Sequence, residues 1–341
     1  MSTTRAVVLA GGLSYERQVS LRSGRRVIEA LRHAGVETVQ LDADGQLLAQ
    51  LADIAPDAVF VALHGSAGED GALRDVLDLL GLPFVGSTAP SCRLAWDKPC
   101  AKSALDTAGI LTPPSVVLPH STFRELGAAA LLDRLVDRLG LPLMVKPTQG
   151  GSALGAHAVE RAENLPAAMV SCFGYGDTAL VERLIRGTEV GVSVVEIATG
   201  IQALPAVEVV AADGVNDYRA RYTAGMSTWH APARISDDIA EDLAKVALRT
   251  HEVLGLRDLS RVDAIVDDEG RVHVLEANVA PGMTETSLFP LAVQTAKLDL
   301  AELCKELVER AAARGPSPPL AGPSTQVRLS PRPEPHPSPE P

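Results

Sequence analysis

The chain reads as an α/β protein that opens on a doubly wound parallel sheet, and three observations lead there. Two strand, glycine loop, helix, strand units follow one another between Arg5 and Val85, and alternating β and α elements pack as a parallel sheet with ligands at the carboxyl ends of its strands. A hairpin of β-branched runs around Gly270 marks a different, antiparallel region further on. Length allows both, since 341 residues, 46% hydrophobic and 22% charged, suffice for two or three domains with their own cores.

In the first unit Arg5 to Ala10 is a strand, Gly11-Gly12-Leu13-Ser14-Tyr15-Glu16 a turn, Arg17 to His33 a helix and Val36 to Leu41 the next strand. A dinucleotide-binding fold with Asp42 on the ribose is the rival reading, but G-G-L-S-Y-E lacks the third glycine of G-x-G-x-x-G. Glu16 at the helix start is at the least favourable charge at the positive end of the dipole. In the second unit Asp57 to Leu63 is a buried strand, His64 to Gly71 a polar glycine loop, Ala72 to Leu80 a helix and Leu82 to Val85 a strand. His64 therefore sits at a strand's carboxyl end, where either a backbone carbonyl or a ligand can take its N–H.

Asp97-Lys98-Pro99 opens a helix that runs to about Ala108, with Asp97 as N-cap and proline in the first turn, and a domain boundary is expected here. Lys146 ends the apolar strand Leu141 to Val145 and precedes the glycine loop Pro147 to Gly155. A lysine beside a flexible, N–H-rich loop is what phosphate binding needs, although this is no P-loop, because the lysine comes before the glycines. Thr178 to Glu182 is an apolar strand, followed by a break and a second strand from Val190 to Ile197. Glu182-Arg183-Leu184 at its end suits an adenine slot as well as it suits an ordinary edge strand. Residues 211–236 show neither period and are expected to form a lid. Asp237 to Gly255 and Leu298 to Ala313 are amphipathic helices, and the proline-rich stretch from Gly315 is expected to be disordered.

In the hairpin, Val262 to Val266 and Val272 to Leu275 flank a turn at Glu269-Gly270. A two-residue loop there sets Asp263 opposite Glu276, and strand alternation puts Arg261, Asp263, Glu276 and Asn278 on one face. Two carboxylates about 5 Å apart call for a cation between them, and Asp, Glu and an Asn carbonyl are oxygen donors suited to Mg²⁺. Acids on an exposed hairpin can equally be solvated, so the hairpin alone does not decide. Asn278-Val279-Ala280-Pro281-Gly282 then leaves the strand through a Pro-Gly turn whose N–H groups can hold an oxyanion.

Taken together, R-V-D, L-E-A-N-x-x-P-G-M-T-x-x-S-L, E-R-x-V-S, H-G-x-x-G-E-D-G and the two lysines resemble the D-alanine:D-alanine ligase family of the ATP-grasp superfamily, over about residues 5 to 312. The resemblance implies a doubly wound N-terminal domain at residues 1–97, two ATP-grasp domains at 98–186 and 187–314, and a tail at 315–341. It implies that ATP phosphorylates one D-alanine carboxylate and that a second D-alanine amine attacks the acyl phosphate, as in peptidoglycan precursor synthesis. By the same resemblance Glu16 holds the first ammonium, His64 lies beside a substrate carboxylate, and Ser287 and Leu288 receive the second substrate. Lys98, Lys146 and Arg221 hold phosphates, Ser152 bonds to the lid residue Tyr222, Glu182 to Leu184 line adenine and Glu189 holds the ribose. Asp263, Glu276 and Asn278 would bind two Mg²⁺ ions, for which Mn²⁺ could substitute, while Arg261 and the Gly282 amide would stabilise the tetrahedral intermediate. Two departures stand out: the loop reads Thr148-Gln-Gly-Gly-Ser-Ala153 where an acid is usual at 150 and serine at 153, and the lid carries Arg221 where lysine is usual and Arg219 where an acid is common.

Composition narrows the alternatives. With 31 basic and 43 acidic residues the net charge is −12, which argues against nucleic acid or an anionic membrane as partner. Four scattered cysteines without a C-x-x-C pair indicate neither a disulfide framework nor a zinc site and fit a reducing cytoplasm. The run Ala6 to Ala10 is too short for a signal peptide and no stretch is long enough for a membrane span, so an unexported, soluble protein is expected, as a homodimer by resemblance. A nicotinamide dehydrogenase and a periplasmic binding protein are disfavoured. A catalytically silent ATP-binding regulator and a dipeptide ligase for other amino acids stay open at this level.

Overall fold

The structure, a computed structural model, describes residues 4–211 and 226–316. The expected lid residues Arg219, Arg221 and Tyr222, and the proline-rich stretch from residue 317, lie outside the described residues.

Strands β1 (Arg5–Leu9), β2 (Glu37–Leu41), β3 (Ala58–Val61) and β4 (Phe84–Val85) form a parallel sheet in the order β2-β1-β3-β4. Helix α1 (Arg17–His33) crosses from β1 to β2 and packs Val27, Ile28 and Leu31 on Val8 and Phe60. Helix α2 (Leu47–Ile54) covers the other face, with Leu47 and Leu51 against Val7, Leu9 and Val59. With both faces covered, the central strands β1 and β3 read as apolar runs, whereas the edge strand β2 does not. The strand order reverses between β1 and β3, so the loops after these two strands open the crevice in which Glu16 and His64 lie.

The segment from His64 to Gly71 is more ordered than the glycine loop expected, because α3 (Ser66–Glu69) occupies it. A Cβ at Gly68 would lie 2.0 Å from the Leu63 carbonyl, so only glycine lets this turn pack on the end of the strand. Helices α4 (Ala72–Leu79), α5 (Ala89–Trp96) and α6 (Lys98–Thr107) follow, and the Asp97 side chain caps α6 by accepting the Cys100 N–H at 3.0 Å.

Strands β5 (Ser115–Pro119), β6 (Leu143–Pro147), β7 (His157–Val159) and β8 (Thr178–Arg183) make an antiparallel sheet in the order β5-β8-β6-β7. Helices α7 (His120–Leu126), α8 (Ala128–Leu139) and α9 (Leu165–Phe173) bring Leu135, Leu139 and Met169 onto its Val145 and Val181. β6 starts two residues later than the expected Leu141. Pro142 has no N–H for the ladder, which sets the later start. At the other end pairing continues through Pro147 to Ala179, so Lys146 falls inside the strand instead of closing it.

The third sheet comprises β9 (Thr188–Ile197), β10 (Gly200–Ala203), β11 (Val207–Ala211), β12 (Ser227–His230), β13 (Leu259–Val266) and β14 (Val272–Asn278), all pairs antiparallel, in the order β12-β11-β9-β13-β14 with β10 also on β9. Two expectations are corrected here. β9 begins before Val190 and so takes Glu189 into the sheet opposite Ile265, and the last part of the expected lid is strand β12. Helices α10 (Asp237–Val253), α11 (Leu288–Thr295) and α12 (Leu300–Arg314) complete the fold. Phe289, Leu303 and Leu307 from the last two share a core with Val27 of α1, which joins this sheet to the first.

The hairpin β13–β14 pairs Arg261 with Asn278 and Asp263 with Glu276, as its alternation requires, by another route than expected. Its loop has three residues, Asp268-Glu269-Gly270, closed by the Asp267 N–H on the Arg271 carbonyl at 3.0 Å, with Gly270 at φ +79. That extra residue would set Asp263 against Leu275, but a bulge shifts the register between Asp263 and Ala264 and restores Glu276 to its place.

Candidate active site

A cleft of about 500 Å³ lies between the three sheets. Glu16 and His64 wall it from the first sheet, Ser152 from the glycine loop, and Arg261, Asp263, Glu276 and Asn278 from the hairpin. Gly282, Ser287 and Leu288 close the far side. A second cavity of about 150 Å³ adjoins it, lined by Lys146, Glu182, Arg183 and Leu184. Lys98, Glu189, Asp263 and Glu276 border both cavities. Every site residue named from sequence that falls among the described residues therefore lines one cavity or the other, and only Arg221 and Tyr222 lie outside them.

The two carboxylates of the hairpin already meet cations. Arg261 Nε and Nη2 donate to the two oxygens of Asp263 at 2.6 and 2.8 Å, and Lys98 Nζ is 3.3 Å from Glu276 and 2.7 Å from the Gly150 carbonyl. The expected cation beside the paired acids is thus met in part by a guanidinium and an ammonium of the chain itself, so repulsion alone does not call for a divalent ion. Burial works against the Arg261 charge, but the carboxylates of Asp263, Glu276 and Glu69 outweigh it and hold the guanidinium above its ordinary value. Among the described residues no group of three or more His, Cys, Asp and Glu is placed to hold a metal. The donors present are two carboxylates in direct register and the Asn278 amide oxygen, which accepts the Ala280 N–H at 2.9 Å and keeps a second lone pair. That all-oxygen set fits Mg²⁺, which takes few protein ligands and leaves its other positions to water and phosphate.

Glu16 accepts the Ser152 hydroxyl, joining α1 to the glycine loop. Its carboxylate sits between two glycines, for a Cβ at Gly151 would lie 2.8 Å from it and one at Gly65 2.6 Å. Glu69, not singled out from sequence, is buried in the same wall and accepts the Gly65 N–H at 2.9 Å. Burial, and then the neighbouring charge of Glu16, push its carboxyl up to about 8. Nothing in its spacing separates it from an ordinary acid of a polar loop.

His64 uses both ring nitrogens inside the protein. Nδ1 lies 3.0 Å from the Ala280 carbonyl and Nε2 2.9 Å from Ser23 Oγ, which also accepts the Met283 N–H at 3.1 Å. This network assigns the proton to Nδ1. Burial pushes the ring down to about 4 despite the Ala280 bond, with the Arg261 charge acting in the same direction as burial, so it is neutral at pH 7. His64 and Ser23, the latter unnoticed in the sequence, hold the turn that carries Gly282. In that turn the Ser287 hydroxyl bonds Thr284 N and Oγ1 at 3.0 and 2.8 Å.

In the second cavity Lys146 Nζ lies 2.5 Å from Glu182, and Lys102 Nζ, from the buried face of α6, lies 3.0 Å from the other oxygen. The Leu184 N–H is bonded to the Pro142 carbonyl at 3.0 Å.

Comparison with known proteins accounts for this arrangement. The sequence profile of the D-ala D-ala ligase C-terminus matches residues 104–309. A D-alanine–D-alanine ligase of Pelotomaculum thermopropionicum is 39% identical over 309 residues, covering 91% of this chain and 97% of that one. The chain belongs to the D-alanine–D-alanine ligase family. The D-alanine–D-alanine ligase of Bacillus anthracis, in a crystal structure complexed with ATP, superposes with a TM-score of 0.76 at 28% identity over 92% of this chain and 98% of that one. The VanG D-Ala:D-Ser ligase of Enterococcus faecalis gives 0.78 at 26% identity over 91% and 100%. A parallel first sheet followed by two antiparallel sheets that flank the second cavity is the ATP-grasp arrangement of this family.

Proposed function

We propose that the chain joins two D-alanines into D-alanyl-D-alanine at the expense of ATP, releasing ADP and phosphate, for peptidoglycan precursor synthesis. The observation that carries this reading is the meeting of the two cavities at Lys98, Asp263 and Glu276, with Lys146 for a nucleotide in one cavity, Glu16 and Arg261 for amino acids in the other, and the paired acids where they join. An oxygen of the first D-alanine carboxylate forms a bond to the γ-phosphorus as the bond to ADP breaks. The second D-alanine amine then adds to that carbonyl carbon, loses a proton, and phosphate leaves.

Each residue has a separable part. Glu16, held by Ser152, faces the first ammonium; Arg261 and the Gly282 N–H face the oxygen that becomes negative; Lys98 and Lys146 face phosphates. Glu182 to Leu184 and Glu189 border the nucleoside end, and Ser287 and Leu288 the second amino acid, with Tyr222 and Arg221 assigned from sequence alone. Asp263, Glu276 and Asn278 would hold Mg²⁺, or Mn²⁺ in its place, which when bound neutralises phosphate charge. The three sheets support division into units at residues 1–97, 98–186 and 187–314.

No helix among the described residues is long and apolar enough to cross a membrane. Four unpaired cysteines support a place in the reducing cytoplasm. The homodimer rests on the family resemblance alone, and sedimentation of the pure protein tests it.

ADP release measured over D- and L-amino acids, alone and in pairs, tests the activity. D-alanine alone should support turnover. Turnover only with D-alanine plus D-serine, the pair in the name of the VanG relative, or only with L-amino acids, would replace this reading with another dipeptide ligase.

A further inference from the structure

Glu182 carries one negative charge and faces two ammonium groups. Its side chain is 3% exposed, with Lys146 Nζ at 2.5 Å on one oxygen and Lys102 Nζ at 3.0 Å on the other. The two lysines differ in what lies behind them. Lys146 borders the second cavity, whereas Lys102 borders neither cavity and is anchored from the rear by the Pro113 carbonyl at 2.8 Å. Their strands and helix fix this division. Met144 is the register partner of Glu182, so Lys146 two residues on is its diagonal neighbour on the same face of the sheet. Lys102 comes from the buried side of α6, a turn beyond Lys98, and takes the carboxylate oxygen that Lys146 does not.

A lysine whose only task was to balance Glu182 could not turn towards a phosphate without stranding a buried carboxylate, which is strongly unfavourable. Here a second, immobile ammonium remains. We propose that Lys102 is a positioning residue for nucleotide binding: it is the fixed counter-ion of Glu182, and thereby leaves Lys146 available to the nucleotide phosphates. The proposal rests on the reading of the second cavity as the nucleotide site. Burial, and then the Lys146 charge, push Lys102 below its ordinary value against the opposing pull of Glu182 and, more weakly, of Asp106, as expected of an ammonium kept in place chiefly by this carboxylate.

The test is a double-mutant cycle read by nucleotide binding without amino acids, using fluorescent mant-ADP with MgCl₂, alongside KM values for ATP and D-alanine. Lys102→Met should weaken mant-ADP at least about tenfold and raise the KM for ATP, with the KM for D-alanine unchanged, and Lys102→Arg should restore most of the affinity. In Lys102→Met/Glu182→Gln the carboxylate that captures Lys146 is gone, so affinity should return to within about threefold of Glu182→Gln alone. If Lys102→Met does not fold, the double variant and Lys102→Arg carry the comparison. Wild-type affinity in Lys102→Met, or losses in the double variant that simply multiply, overturn the proposal. Wild-type protein that binds mant-ADP yet releases no ADP with D-alanine overturns the proposed ligase activity and leaves this inference standing; failure to bind mant-ADP overturns both.

Discussion

Asp258 and Asp263 lie five residues apart at the start of and within β13, both buried and both held by an arginine fork, yet they belong to different kinds of site. Asp258 has no exposure and is closed on every side. Arg314 donates to both its oxygens at 2.9 and 2.8 Å, the Gly86 N–H adds a bond at 2.8 Å, and Arg314 also reaches the Phe84 carbonyl at 3.1 Å. One carboxylate thus ties β4, the start of β13 and the end of α12 together. Asp263 has a single arginine, Arg261, and its other side opens on two cavities shared with Glu276 and Lys98. A buried ion pair is therefore no marker of function. What distinguishes the functional one is a second carboxylate in register beside it and space for something charged to enter.

The largest effect should separate the two by activity. Glu276→Gln is expected to lower ADP release at least about a hundredfold, several kcal/mol of transition-state stabilisation. Its melting temperature without metal should hold, because the amide keeps the shape of the side chain and removes the repulsion between Glu276 and Asp263, which stand in register, against the loss of charge on the Lys98 contact. Near-normal turnover would remove the acid pair from the chemistry.

The converse variant should cost stability. Asp258→Asn removes the charge of a fully buried carboxylate whose partner Arg314 is itself partly open to water, and should destabilise by about 1–3 kcal/mol, with kcat per folded molecule little changed. Denaturant unfolding and active-site titration measure the two separately. A stable but inactive Asp258→Asn would show that the latch reaches the site.

Two buried groups facing the open cleft should give the stability a pH signature of opposite slopes. Glu69, held up to about 8, binds its proton more tightly folded than unfolded, so its contribution is present below the ordinary carboxylate range and fades as pH rises to 8. Glu69→Gln should therefore gain on the wild type between pH 5 and 8, on the order of 1–3 kcal/mol in metal-free melts. His64, pushed down to about 4, binds its proton more weakly folded, so its contribution is present above its ordinary value of 6.5 and is lost as pH falls towards 4. His64→Gln should flatten that acid limb. Parallel melting curves for Glu69→Gln and wild type across pH 5 to 8 would contradict the assignment of its proton.

The smallest effect concerns the end of the chain. A chain stopped after Arg314 keeps the whole latch and should melt and turn over as the full chain does. Stopping after Ala313 removes the fork and should reproduce much of the Asp258→Asn loss. Equal melting of the two truncations would show that Arg314 adds nothing.

The sequence by itself determined the local and periodic features: the parallel βαβ beginning, the helix from Arg17 to His33, the Asp97 cap, and the face shared by Arg261, Asp263, Glu276 and Asn278. These follow from alternation, turn chemistry and capping, each acting over a few residues. Even there the hairpin reached the expected register through a three-residue loop and a compensating bulge, because strand pairing is set by which side chains must be buried and not by loop length alone. The lid stretch gave no period, so sequence did not foresee strand β12, whose hydrogen bonds come from β11. Tertiary structure alone decided which cation met which acid. Lys98 on Glu276, Lys102 on Glu182 and Arg314 on Asp258 join residues 178, 80 and 56 positions apart. Such pairs leave no periodic trace, since they are selected by desolvation in the folded core, where a charge is stable only if an opposite one arrives from a distant part of the chain.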